Sequence, residues 1–562
     1  MSASKQIGGR HHKQPPERRG HVSDDSSQGL NGNGAPVGNG SRLTDDFDSR
    51  AQGSILVLDF GGQYSQLIAR RVRECGVFAE LLSHDIPLEE IRRRHPIGLI
   101  LSGGPASVYA NNAPPLRSEL LELDIPVLGI CYGMQAMAQS LGGRVEASSQ
   151  GEFGRAEIEI LSPGLLMRDL PLQQTCWMSH RDSIFELPTD FLTVAKSKAS
   201  PVAAFEHAQR RLYGIQFHPE VGHTPHGRDV LIAFLRDACG SEMTWNPTSV
   251  IDRQIENIRR QVGDGHAICA LSGGVDSAVA ALLAHKAIGD KLTCVFVDHG
   301  LMRLDEGRQV ADTFRDYFKI PLVVVDAEER FLNQLRGITD PEQKRKIIGR
   351  EFITVFQDAA SQLDSPAYLV QGTLYSDLIE SGGSNGAAKI KSHHNVGGLP
   401  DELGFDLVEP LKSLFKDEVR QVGTELGLPD RLIQRQPFPG PGLAVRIVGA
   451  EVTRERLEIL RSADAIFLDE VRMAGLYKKL WQSFCVLPAA LQSVGVQGDG
   501  RTFGCVIILR AVTSEDAMTA DWEQLPKDLI DRVVSRITGE IPDVNRVVLD
   551  VTSKPPGTIE WE

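Results

Sequence analysis

The sequence predicts an α/β protein with two parallel-sheet α/β domains, followed by a smaller α+β domain and preceded by a disordered N-terminal tail. Three observations carry that expectation. Short aliphatic runs alternate with amphipathic stretches twice along the chain, which is the rhythm of parallel strands joined by crossover helices. One run in each half ends in a glycine-rich turn that opens a helix. Beyond Pro437 the order changes to long helical segments interleaved with strands. At 562 residues the chain is also too long for a single hydrophobic core, so several domains are expected.

Residues 1–53 are rich in Gly, Ser, Asn, His and Asp and nearly devoid of aliphatic side chains. Such a segment buries too little apolar surface to offset its chain entropy, so it is read as a dispensable, disordered tail. Order is expected to begin at Ser54, and residues 54–244 form the first domain. Ile55 to Phe60 reads as a buried strand and Gln66 to Cys75 as a helix. Phe78 to Leu82, Gly98 to Leu101 and Pro126 to Ile130 read as further strands, with a helical segment from Leu116 to Leu123. Met134 to Leu141 is a helix stopped by Gly142-Gly143. Residues 145–217 read as several short alternating strands, among them Ala156 to Leu161 and Leu212 to Phe217. A helix from Gly227 to Ala238 closes the unit.

Trp245-Asn246-Pro247 marks the next boundary, and residues 245–436 form the second domain. A helix over 250–262 leads to a strand, Ala267 to Leu271, and then to a helix, Val275 to Ile288. Strands follow at Leu292 to Val297, Leu322 to Val325 and Ala367 to Gln371. Residues 381–400 lack periodicity and are expected to be a functional or disordered loop. In the third domain, 437–562, helices near 453–475 and 522–538 alternate with strands Ser493 to Gln497, Cys505 to Ala511 and Arg546 to Asp550.

The net charge of −14 argues against a broad nucleic-acid surface, which needs an excess of Lys and Arg on one face. Eight cysteines without a C-x-x-C pair form neither a disulfide framework nor a zinc signature, so a reducing cytoplasm is expected. No apolar run approaches membrane-spanning length, and no secretory h-region is seen at the N-terminus.

Gly129-Ile130-Cys131-Tyr132-Gly133 has the form of a nucleophile elbow. Small flanking residues permit the tight strand-to-helix turn, and the helix N-terminus favours a thiolate. A base and its orienting group are available in His218 and Glu220, which end another strand. The loop Ser102-Gly103-Gly104-Pro105 can offer backbone N–H groups to an oxyanion. In parallel strands these loops would share one carboxyl edge. Cys75, Cys176 and Cys239 lack the elbow and are read as buried structural thiols. Together these motifs resemble the class I glutamine amidotransferases. The resemblance implies that Cys131 attacks the side-chain amide of glutamine, that His218 and Glu220 complete the triad, and that Gly103, Gly104 and Tyr132 hold the oxyanion.

Ser272-Gly273-Gly274-Val275-Asp276-Ser277, followed by Ala278, joins a strand to a helix. Its backbone N–H groups and hydroxyls suit phosphate oxygens. Asp276 would be repelled by bare phosphate, so Mg²⁺ is expected between them. No Lys-Ser/Thr follows the glycines, so this is not a Walker loop. The segment resembles the ATP pyrophosphatase family, implying cleavage of ATP to AMP and pyrophosphate. Lys416 is a candidate pyrophosphate ligand. Lys389 and Lys391, beside His393-His394, could close over the nucleotide as a lid.

The order of these domains resembles the GMP synthase family, as do Gln436-Pro437-Phe438-Pro439-Gly440-Pro441-Gly442-Leu443 and the run Lys554 to Glu562. The resemblance implies glutamine, XMP and ATP as substrates, an adenylyl-XMP intermediate, and a homodimer formed through the third domain. It also implies XMP contacts at Arg303, Asp377, Gln497, Lys554 and Glu560. Two other readings stay open at this point: an RNA-modifying enzyme built on the same loop, and a regulatory homologue that keeps only the fold.

Overall fold

The computed structural model describes residues 53–363, 366–382, 404–497, 500–514, 517 and 519–562, without the side chains of 380–382 and 497. The expected tail and the lid carrying Lys389, Lys391, His393 and His394 lie outside these residues.

Aliphatic runs become strands wherever both faces are covered. In the first part these are β1 (Ile55–Asp59), β2 (Ala79–Ser83), β3 (Gly98–Leu101), β4 (Val127–Ile130), β5 (Arg144–Ile160), β6 (Gln173–Glu186), β7 (Leu192–Ser197), β8 (Ala204–His207) and β9 (Leu212–Ile215). They form one sheet in the order β2-β1-β3-β4-β9-β8-β7-β5-β6. The half from β2 to β9 is parallel and the rest is antiparallel. Where short strands were expected after residue 145, β5 and β6 instead make one long hairpin. Their register shifts between Ala147 and Glu152, and that irregularity breaks the period-two pattern that would have revealed a continuous strand. Leu116 to Leu123 shrinks to a 3₁₀ turn at Ser118–Glu122. The closing helix is α-helical over Gly227–Ala233 and widens to π geometry over Phe234–Ala238.

Asn246 caps the helix Pro247–Val262, its side chain accepting from Ser249 N at 3.0 Å, which explains the boundary signal in the sequence. The second sheet contains β10 (Ala267–Leu271), β11 (Leu292–Asp298), β12 (Leu322–Asp326), β13 (Tyr368–Val370) and β14 (Asp406–Val408). Its order is β12-β11-β10-β13-β14, parallel throughout. Helix Val275–Ile288 leaves β10 and is buried along most of its length. The third sheet holds β15 (Ile447–Val448), β16 (Gln482–Pro488), β17 (Gln492–Gln497), β18 (Gly500–Thr513), β19 (Asp521–Trp522) and β20 (Val544–Asp550). Helices Arg454–Met473 and Lys527–Glu540 pack on it through Leu457, Leu460, Phe467, Leu529 and Val533. The core beneath the second and third sheets is continuous.

A buried arginine joins the first part to the second. Arg73, on helix Ser65–Glu74, donates to Ala79 O, to Ser413 O and, at 2.9 Å, to Glu418 Oε2. Its guanidinium stands 4.6–4.9 Å from the rings of Phe78, Tyr375 and Phe415. Trp245 Nε1 completes Glu418 at 2.7 Å. A charge this deep is tolerated because nearly every donor is matched. Glu418 belongs to helix Lys416–Glu425, whose first residue reaches the glycine-rich loop described next.

Candidate active sites

β3, β4 and β9 are adjacent and parallel, so the loops carrying Gly103, Cys131 and His218 leave the same sheet edge. Cys131 occupies the turn itself, with φ +51° and ψ −104°, a region that a residue with a Cβ enters only when its surroundings impose it. Here they do. A Cβ on Gly129 would lie 2.6 Å from Met134 N, and one on Gly133 would lie 2.6 Å from Leu101 Cβ. Cys131 N is anchored to Ile215 O at 2.8 Å and Gly133 N to Ser102 O at 3.0 Å. Tyr132 begins the helix Tyr132–Ser140, so its backbone N–H has no acceptor within the helix. Its hydroxyl donates to Pro114 O at 2.7 Å.

His218 and Glu220 are almost fully buried. Their Nδ1 and Oε1 are 2.7 Å apart. A carboxylate only accepts, so Nδ1 carries the hydrogen and Nε2 is left for Cys131. Burial opposes charging of the imidazole, but hydrogen bonds to Cys131 and Glu220 and their negative charge outweigh it. The His218 pKa is pushed up to about 10. The arrangement therefore favours a charged imidazolium at His218 beside Cys131. Tyr64 meets the His218 ring edge-on at 5.1 Å, and Arg71 Nε donates to Glu220 O at 2.9 Å. A Cβ on Gly103 would stand 3.4 Å from His218 Cε1 and 4.0 Å from Cys131 Cβ, so the Gly103 backbone runs beside both residues. Gly104 packs against the Tyr132 ring.

Sequence reasoning missed two glutamines in this site. Gln216 donates to Cys131 Sγ at 3.5 Å and accepts from Gln135 Nε2 at 3.0 Å. Gln135 lies four residues after Cys131 on one helix face, and Gln216 lies two before His218, so spacing alone could have found them. The other three cysteines of the first part are perturbed by burial, which raises Cys75 and pushes Cys176 and Cys239 up to about 12.

In the second site the loop between β10 and helix Val275–Ile288 is knitted by its own hydroxyls. Ser272 Oγ and Ser277 Oγ are 3.1 Å apart, and Gly274 N donates to Ser272 Oγ at 3.3 Å. Gly273 has φ +75°, the left-handed geometry that glycine adopts without penalty. Val275 and Ala278 are buried on the helix side. Lys416 Nζ lies 2.6 Å from Asp276 Oδ1, so the lysine pairs with the carboxylate at the glycine-rich turn. Among the described residues no group of three or more His, Cys, Asp or Glu could hold a metal. Mg²⁺ is commonly held by one or two carboxylates plus nucleotide phosphates, so the single carboxylate of Asp276 fits it only if Lys416, which now meets both its oxygens, gives way.

The structure brings Arg303 and Glu560 into one buried charge network. Arg303 Nε donates to Asp464 Oδ2 at 2.9 Å. Glu560 accepts from Arg446 Nη2 at 2.8 Å and from Gln482 Nε2 at 2.6 Å. Burial would raise the Glu560 carboxyl, yet Arg446, Gln482 and Arg303 hold it below the usual range. Lys554 is placed apart from that network, donating to Ala517 O at 2.8 Å and bridging Ala520 through its backbone. Asp377 accepts from Leu374 N at 2.9 Å at the start of its own helix. The Gln497 side chain lies outside the described residues. Sequence reasoning also missed Arg446 and Asp464. A charged residue within the buried run Leu443 to Ile447 was the available signal, since such a residue is almost always paired.

The comparisons with known proteins identify the family. A family model described as glutamine amidotransferase class-I matches residues 56–238, the span that holds Cys131, His218 and Glu220. A second, described as GMP synthase C terminal domain, matches residues 469–561. The glutamine-hydrolysing GMP synthase of Thermobifida fusca is 58% identical over 91% of this chain and 98% of its own. That of Nocardia farcinica is 57% identical over 92% of this chain and 100% of its own, and that of Mycobacterium tuberculosis is 59% identical over 90% and 97%. The chain belongs to the glutamine-hydrolysing GMP synthase family.

Proposed function

We propose that this chain makes GMP from XMP, drawing ammonia from glutamine and driving the amination with ATP. The observation that carries the reading is the Cys131–His218–Glu220 arrangement in the same chain as the Ser272–Ser277 loop. The Cys131 thiolate attacks the glutamine amide carbon, and the oxyanion is received by the backbone near Gly103, Gly104 and Tyr132. His218 delivers its proton to the leaving ammonia and then takes one from the water that hydrolyses the glutamyl thioester. At the second site the loop and Lys416 hold the pyrophosphate end of ATP. The C2 oxygen of XMP attacks the α-phosphorus, pyrophosphate leaves, and ammonia then displaces AMP at C2. Mg²⁺ bound by the phosphates and Asp276 would offset phosphate charge. Arg303 and Glu560 face the purine, with Lys554, Gln497 and Asp377 as further contacts. The three-domain division at residues 244–245 and 436–437 belongs to the same reading.

The test is to incubate the protein with glutamine, XMP, ATP and Mg²⁺ and to measure GMP, AMP and pyrophosphate. Pyrophosphate released without dependence on XMP would sink the reading. Val494, Val496 and Phe503 are 40%, 78% and 66% exposed on the β17–β18 pair, an apolar strip that suits a second copy of the chain. The expected solution mass is therefore that of a dimer. Among the described residues no helix is long and apolar enough to cross a membrane, which is compatible with the cytoplasmic placement proposed here.

The chain end gives a further expected result. Glu562 Oε2 accepts from the fully buried Lys344 at 3.1 Å, and Glu562 Oε1 accepts from Gly449 N at 3.1 Å. Glu560, two residues earlier, sits in the Arg446 pair. A tag added after Glu562 should loosen this anchor and raise the KM for XMP on the order of tenfold, with the KM for glutamine little changed. Steady-state kinetics with each substrate varied in turn will check it, and an unchanged KM for XMP would remove the tail from the purine site.

A further inference from the structure

Adenylation requires the pyrophosphate loop and the purine site to be held at a fixed separation, and one side chain touches both. Arg435 follows the short helix Asp430–Ile433. Its Nη1 donates to the carbonyl of Gly273 in the pyrophosphate loop, and its Nη2 lies 2.7 Å from Glu306 Oε1. Its guanidinium stands 5.3 Å from the Phe438 ring, while those of Arg303 and Arg446 stand 4.9 and 5.2 Å from the same ring. Three cations thus share one aromatic side chain.

The Arg435 side chain is 10% exposed, as is that of Arg303, and that of Arg446 is fully buried. Each nevertheless keeps a buried donor without a hydrogen-bond partner among the described residues: Arg435 Nε, Arg303 Nη2 and Arg446 Nη1. An unmatched buried N–H is costly, and these three belong to arginines gathered around the one Phe438 ring. Three of them in one place define a donor set for an oxygen-rich anionic ligand, between the loop and the purine site.

We propose that Arg435 is a positioning residue for adenylyl transfer, holding the α-phosphorus of ATP in line with the C2 oxygen of XMP by tying Gly273 to the Arg303–Phe438 cage. The inference rests on the GMP-forming reading above. In the step concerned the bond from the C2 oxygen to the α-phosphorus forms as the α–β anhydride bond breaks. Pyrophosphate departs with the bonding pair, and the lactam N–H proton of XMP passes to solvent.

The experiment uses the full chain with ammonium chloride replacing glutamine and follows XMP-dependent pyrophosphate release. Arg435→Lys keeps the charge but cannot span two partners. Its kcat should fall on the order of 100-fold while the KM values for ATP and XMP stay within about threefold, the split expected when alignment and not affinity is lost. Glu306→Gln leaves Arg435 in place with one anchor weakened and should lower kcat roughly tenfold. An unchanged kcat in Arg435→Lys, or a change confined to KM, overturns the proposal. Should Arg435→Lys melt early, Glu306→Gln decides, and an unchanged kcat there overturns it. Wild-type protein that releases no XMP-dependent pyrophosphate would instead overturn the functional reading itself.

Discussion

Cys131→Ala is expected to lower glutamine-dependent GMP formation on the order of 10⁴-fold or more, while synthesis from ammonium chloride stays within about twofold of wild type. The first half follows from the site. Cys131, whose Sγ accepts from Gln216 Nε2 at 3.5 Å, is the nucleophile among the side chains described there, and neither Gln135 nor Gln216 can replace it. The second half follows from the fold. The Ser272–Ser277 loop and the Arg303–Glu560 network lie outside the sheet that carries Cys131, and the alanine leaves the hydrogen bonds from Cys131 N and Gly133 N intact. Side-by-side assays with the two nitrogen sources decide the matter. If ammonium fails to rescue the variant, the two half-reactions are not divided between the sites in the way proposed.

Glu220→Gln should act through pH. With the carboxylate in place His218 stays charged until the pH rises through about 10. Removing that negative charge lowers the pKa toward the ordinary imidazole value, because burial then faces less opposition. The alkaline limb of glutamine hydrolysis should move down by at least about one pH unit, and kcat at neutral pH should fall on the order of 10²- to 10⁴-fold. Stability moves in the same direction. A group whose folded pKa is raised contributes fully below its unfolded pKa of 6.5, and that contribution is lost as pH rises through about 10. The variant should therefore show a flatter melting profile across that window. A pH–rate profile with an unmoved alkaline limb would mean that Glu220 does not set the charge of His218.

Much of both sites was legible because their signals are local. A strand, a glycine turn and a helix start lie within a few residues at Cys131 and again at Ser272, and Val275–Ile288 is the helix the sequence predicts. The almost entirely buried β16 and the helix Pro341–Ser361 escaped notice. A strand covered on both faces shows no alternation, and the helix carries Lys344 on its buried side, which blurs its apolar stripe. The long β5–β6 hairpin was hidden by its register shift. The buried arginine–carboxylate network was the least legible part. Arg435 meets Gly273 across 162 positions and Arg446 meets Glu560 across 114, and no local pattern encodes such pairings.

The backbone at Cys131 also has a consequence for how damage to this protein would show itself. A side-chain-bearing residue at φ +51° is held there at a cost of about 1–3 kcal/mol. Glycine would occupy the turn without that penalty, so Cys131→Gly should melt at a higher temperature than wild type while being unable to hydrolyse glutamine. Chaperones and proteases recognise poor folding, and this lesion folds better. The defective chain would accumulate unseen by quality control, and ammonia availability alone would reveal it.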